Sequence, residues 1–405
     1  MDGFAPPVLR RRLGLTLLTL YGVGITVGAG IYVLIGAVAG HAGPHAPWSF
    51  LIAAAVMTFT VASYAELSTR FPVSAGEAAY VREAFRSRLL STATGVLTVL
   101  IGIVSSAAVA IGSAGYISQF LDGPPAAIMA VVVVMLGAVA AWGILESVLL
   151  AGLFTLVEVG GLLLIIGAAL IADVPIAPAL TGLPPFGAEA WSGIAFASLL
   201  AFFAFIGFED LANIAEEAKA PHRDLPRAML LTLVIATLLY VAVAAIAVSA
   251  VPPEQLAASP APLSLVFRKL VGISPAAISL IAIVATLNTI LAMMTMAARV
   301  LYGMARQGDL PAVLGRVDRR TATPVLATGL VVAVTLALAL LFPIERLAAL
   351  TSVATLVVFA LVNAALLRLR HRRVVTHRPH VRVPTWVPLI GLLSCVGMIA
   401  ASLLR

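Results

Sequence analysis

The chain has 405 residues, 61% hydrophobic and only 11% charged, with a mean hydropathy of +1.10, against about 45–50% apolar and about 25% charged in ordinary soluble domains. A soluble fold is excluded, and the single cysteine, Cys395, excludes an intrachain disulfide and any zinc-type ligand spacing. The net charge of +7 does not point to nucleic acid, because the basic residues form short clusters between apolar runs rather than one polar face.

About 20 mostly apolar residues are needed to cross the hydrocarbon core of a bilayer. Eleven runs qualify: 14–39, 48–68, 92–120, 125–143, 147–171, 191–217, 227–250, 275–304, 323–342, 347–367 and 386–404. The expectation is an all-α integral membrane protein, one transmembrane domain over 1–405. Lys and Arg accumulate in cytoplasmic loops. Here they gather before the first span (Arg10, Arg11, Arg12) and after the second (Arg70, Arg82, Arg86, Arg88), sixth (Lys219, Arg223, Arg227), eighth (Arg306, Arg316, Arg319, Arg320) and tenth (Arg368, Arg370, Arg372, Arg373, Arg378, Arg382). The opposite side holds Arg268, Lys269, Arg346 and Arg405. This asymmetry places the N-terminus in the cytoplasm and, with eleven spans, the C-terminus outside.

The first span begins as a signal peptide does, with Arg11 and Arg12 before an apolar stretch and Ala37-Val38-Ala39 after it. Ten further spans and the length of the stretch argue for a membrane helix. Its glycines, Gly22, Gly24, Gly28 and Gly30, superficially resemble a dinucleotide-binding loop, but that motif requires a strand before it and a helix after it. Glycine instead destabilises helix interiors, so the segment from Gly22 to Gly30 predicts an unwound stretch near the bilayer centre. Non-helical backbone survives there only against protein or a watery cavity.

In the fifth span, a start at Ser147 and a rise of about 1.5 Å per residue set Glu158 about 16 Å deep, near mid-bilayer. Gly152, Thr155 and Gly161 share its face, a small polar stripe expected to face protein rather than lipid. A carboxyl at that depth is costly to ionise, which suits it either to bind and release a proton or to hold a fixed partner. In the sixth span Gly207 is followed by Phe208, Glu209 and Asp210. Carboxylates favour a helix N-terminus, and Glu209, Asn213 and Glu216 then share one helical face, suggesting a polar track toward the cytoplasm. Glu66, closing the second span, is expected to be a structural partner of Arg70 or of the re-entrant-looking segment 75–88.

Breaks five spans apart, in the first and sixth, are a sequence pointer to a secondary transporter built from inverted repeats with a midplane site. Spans one to five (about 13–171) would pair with six to ten (about 190–370), leaving 386–404 as an extra helix. Three motifs, GAGIYVLIG, YAELSTRFPVSAGEAAYVREAF and FAFIGFEDLANIAEEAKAPHRDLPRA, together resemble the amino acid, polyamine and organocation transporter superfamily. Its members commonly have twelve or more spans, from which the eleven counted here depart.

The resemblance implies a substrate amino acid whose carboxylate meets backbone amides at Gly28, Ala29 and Gly30. Its amino group would meet carbonyls at Thr26, Phe203 and Ile206, with Phe203 as an aromatic wall. A half-helix beginning near Gly30 points its positive end at an anion, and freed carbonyls suit an ammonium. Many proton-linked relatives carry a lysine near the place of Glu158, so their mechanism does not transfer directly. Glu209 matches an acidic position often used near the inner pathway, so Glu158, Glu209 and Asp210 are the candidates for proton coupling or gating.

The implied function is secondary active transport of amino acids in a plasma or inner membrane, with a proton as coupling ion; exchange and sodium coupling remain open. No cofactor or metal is called for. A GxxxxGK[ST] phosphate loop is absent, which removes an ATP-driven pump. A membrane enzyme would need a nucleophile with a base or a metal cluster inside the membrane, yet the histidines, at 41, 45, 222, 371, 377 and 380, all fall in loops; a receptor or channel is the remaining rival.

Overall fold

A computed structural model describes residues 13–71, 76–142, 148–184, 187–318, 320–321, 323–373 and 380–403. Among these the only extended pairing is an isolated bridge between Leu13 and Ala218; nearly everything else is helix and short connections. The first span is divided into α1 (Leu15–Val27) and α2 (Ala29–Ala42) at Gly28 alone, so the unwound stretch expected from Gly22 to Gly30 narrows to one residue, with Gly22 and Gly24 kept in regular helix. The chain continues through α3 (Ala46–Arg70), α4 (Gly76–Phe85), α5 (Arg88–Ile117), α6 (Pro125–Trp142) and α7 (Val148–Ile171). After the short α8 (Ala177–Thr181), the sixth span consists of α9 (Ala188–Ala204) and the four-residue α10 (Asp210–Asn213). Then come α11 (Pro221–Ala250), the short α12 (Pro253–Ala258) and α13 (Pro262–Val271), α14 (Ala276–Arg306), α15 (Val325–Leu341), α16 (Ile344–His371) and α17 (Trp386–Leu403).

Among the described residues, seven helical stretches are long and apolar enough to cross a bilayer, and one of them, Leu15–Arg70, holds the first two spans. Three shorter apolar helices, Trp191–Ala204, Val325–Leu341 and Trp386–Ser402, complete the eleven expected. The sixth span departs from its expected course. Instead of one run to 217, the chain leaves helix after Ala204, forms α10, turns at Ile214 and ends in a 3-10 turn, Ala215–Glu217. A continuous face through Glu209, Asn213 and Glu216 is therefore not formed; the side chains of Asn213 and Glu216 lie outside the described residues.

Small residues let the helices approach, as membrane packing requires where lipid is as apolar as the protein. On α5, Gly102 faces the Met293 carbonyl of α14, where a Cβ would stand 3.0 Å away. At the end where the basic connections meet, Glu66 of α3 is buried and accepts from Arg70, from Arg370 of α16 and from the Val383 amide at 2.9 Å. Arg370 also donates to the Val383 carbonyl. Glu66 is thus the structural partner of Arg70, but its second partner is Arg370 rather than segment 75–88. That segment docks on α3 differently, through Tyr64, whose hydroxyl donates to Glu77 of α4 at 3.0 Å. The segment after α10 is tied to the start of α1 by Leu13 N–H to Glu217 (3.1 Å) and Lys219 N–H to Leu13 (2.8 Å).

Candidate substrate site

The two breaks cross, and each presents a glycine to the backbone of the other. A Cβ on Gly30 would lie 2.5 Å from the Ala204 Cα, at the end of α9. A Cβ on Gly207 would lie 2.9 Å from the Ile25 carbonyl oxygen in the last turn of α1, and Gly207 has a φ of 131° that side chains disfavour. Gly30 and Gly207 are contact glycines, where a methyl group would force backbones apart. Gly28 differs: it caps both half-helices with φ −40° and ψ −141°, and a Cβ there would press closely on the Thr289 hydroxyl of α14, at 2.7 Å, with the Ile25 carbonyl at an ordinary 3.5 Å.

Helix α2 starts at Ala29, one residue before the expected start near Gly30. The first amides of a helix have no partner within it. The Ala29 amide donates to Thr289 Oγ1 at 3.1 Å. At the opposite pole, the carbonyls of Thr26 and Ala204, at the ends of α1 and α9, lie 2.6 and 2.8 Å from the hydroxyl of Tyr240 on α11. The Phe203 carbonyl accepts from the Ile206 amide at 3.3 Å, which closes the last turn of α9. A carbonyl has two lone pairs, so Thr26 keeps capacity for a second donor, whereas the Phe203 carbonyl also meets the Phe205 amide. The Thr26 hydroxyl is buried with no bond partner among the described residues.

Aromatic rings surround the crossing. Phe205 packs edge-on to Tyr240 at 4.9 Å between centroids, and Phe202 and Phe208 pack on Phe359 at 5.9 and 5.5 Å. Phe203, between them in sequence, is buried yet stacks on no other ring among the described residues. Glu209 turns back on the break and accepts from the Gly207 amide at 2.8 Å, while Asp210 is the first residue of α10.

Glu158 has no exposed surface, and its stripe faces the first span. Thr155 donates to the Leu20 carbonyl at 3.3 Å, and Gly161 lies against Tyr32, whose hydroxyl donates to the Glu158 carbonyl at 2.6 Å. The Glu158 carboxylate accepts from the Asn288 amide at 3.3 Å. Consecutive residues of α14 therefore reach two places, Asn288 the buried carboxylate and Thr289 the start of α2. Neither was foreseen from the sequence, although an Asn-Thr pair inside the apolar run ATLNTILAMM was a visible signal, since buried polar groups in a membrane need partners. Tyr240 gave less warning, as one tyrosine among valines and alanines. No cluster of three or more metal-type ligands occurs among the described residues.

The sequence profile of the amino acid permease family matches residues 13–404. The chain is 32% identical to a branched-chain amino acid permease of Bacillus subtilis, over 96% of this chain and 88% of the relative. It is 33% identical to the vacuolar cationic amino acid transporter 2 of Arabidopsis thaliana, over 90% of this chain and 60% of that longer protein. It is also 28% identical to a methylthioribose transporter of Bacillus subtilis, over 96% of this chain and 86% of the relative.

Proposed function

The chain belongs to the amino acid permease family, and on that footing we propose that it is a secondary transporter that moves an amino acid by alternating access around the crossed breaks. The observation that carries this reading is the pairing of opposite polarities at one crossing. The start of α2 offers N–H groups to a carboxylate, and the ends of α1 and α9 offer carbonyls to an ammonium, a few residues away on the same two chain segments. Phe203 closes the site as an apolar wall. Glu158, fully buried and bonded to the helix that also touches the Ala29 amide, carries the coupling proton, and Glu209 holds the second break in shape. The excess of Lys and Arg on one set of connections puts the N-terminus in the cytoplasm of a cell membrane.

The relatives' names leave the side chain open: one is branched-chain, one cationic, and one is not an amino acid. Purified protein in liposomes, offered labelled leucine, arginine and methylthioribose with a proton gradient, a sodium gradient or none, tests the reading. Accumulation of an amino acid driven by an inward proton gradient is expected. Uptake of none of the amino acids would overturn it; sodium-driven uptake or strict exchange would keep the site and replace the coupling.

A further inference from the structure

Several threonines in this chain spend their hydroxyl proton on their own helix. Thr58, Thr69, Thr94, Thr98, Thr237, Thr351 and Thr355 all donate to the carbonyl four residues back, at 2.7–3.1 Å, the usual local bond for such residues. Thr289 does not. Its one hydrogen bond among the described residues is the one it accepts from Ala29, so its proton remains to be given, and the missing side chain of Gly28 leaves the hydroxyl directly against the break.

We propose that Thr289 is a substrate-binding residue, whose hydroxyl is held by the Ala29 amide and donates in turn to the carboxylate of the transported amino acid. The inference rests on the reading of the crossing as an amino acid site. It changes how Ala29 takes part: the amide reaches the substrate through the threonine hydroxyl, while the other free amides at the start of α2 face the anion directly. Accepting from the positive end of a helix polarises the hydroxyl and makes it the better donor to an anion, and hydrogen bonds to a charged group are roughly twice as strong as neutral ones. The buried Thr26 hydroxyl at the same break is a second donor with no bond partner among the described residues.

The test is competition against labelled amino acid uptake in proteoliposomes, with leucine or arginine, whichever the wild type takes up, and with the corresponding amino acid amide, which lacks the carboxylate. Thr289→Val keeps the shape and removes the hydroxyl; Thr289→Ala does the same if valine disturbs packing; Thr289→Ser keeps the hydroxyl. The expected result is at least a tenfold loss of affinity for the acid in Val or Ala, affinity within about threefold of wild type in Ser, and a much smaller loss for the amide compound. Equal losses for the acid and its amide would show that Thr289 only caps Ala29, and an unchanged affinity in Val or Ala would remove it from the site altogether; either overturns the proposal. If the amide fails to compete even with wild type, the acid's affinity in Val against Ser decides. A wild type that takes up neither amino acid would defeat the underlying reading, an outcome distinct from those.

Discussion

The hydroxyl of Tyr240 lies 2.6 Å from the carbonyl oxygen of Thr26, 214 residues away, and also 2.8 Å from that of Ala204. One side chain on α11 thereby fastens the end of α1 to the end of α9 and holds the two breaks in register. Tyr240→Phe keeps the ring against Phe205 and Phe50 and loses the hydroxyl. The mutant is expected to fold and reach the membrane but to bind substrate about tenfold more weakly, since freed carbonyls no longer share a fixed geometry. Competition binding compared with the melting temperature checks this; a matching loss of folding would make Tyr240 a packing residue.

The glycines at the crossing should separate by what they touch. Gly30→Ala drives a methyl into the Ala204 backbone, and Gly207→Ala adds a disfavoured φ to a clash with Ile25, a strain of about 1–3 kcal/mol before the clash is counted. Both are expected to lower the melting temperature of detergent-purified protein by several degrees and abolish uptake. Gly28→Ala crowds the end of the Thr289 side chain and meets backbone only at ordinary contact distance, so it should fold nearly as wild type while losing affinity. Equal thermal behaviour in all three would contradict the contact geometry.

Glu158→Gln mimics the protonated acid permanently and still accepts from Asn288. It is expected to keep substrate binding and exchange but to lose accumulation driven by an inward proton gradient. Measurement of counterflow beside gradient-driven uptake separates the two. If the variant still concentrates substrate as wild type does, Glu209 becomes the better proton carrier.

Outside the spans, burial pushes the carboxyl of Glu77 above its ordinary value, partly opposed by hydrogen bonds from its own backbone and from Tyr64. An acid whose folded pKa is raised costs no stability below the unfolded value near 4.5; as pH rises through that value the unfolded chain ionises first, and stability falls until the folded pKa is passed. Glu77→Gln removes this penalty. Its melting temperature should match wild type at pH 4 and exceed it at pH 8; a higher melting point for wild type at pH 8 would mean that the ionised form is the one the site favours.

Membrane class, the number of apolar helical runs, the neighbourhood of both breaks and the burial of Glu158 were legible in the sequence because each is a local property, although the first break is confined to Gly28 instead of running from Gly22 to Gly30. Hydropathy adds up residue by residue, and glycine weakens a helix wherever it stands. What the glycines face was not legible. Gly28 and Gly30 look alike in the chain, yet one meets a threonine hydroxyl and the other a backbone. The partners that complete the site come from α11 and α14, with Thr289 260 residues from Ala29, and the second partner of Glu66, beside Arg70, comes from α16. Such contacts depend on the rotation and register of each helix, which the packing of all its neighbours sets together, so only the tertiary structure decided that Asn288 reaches Glu158 while the next residue along reaches the start of α2.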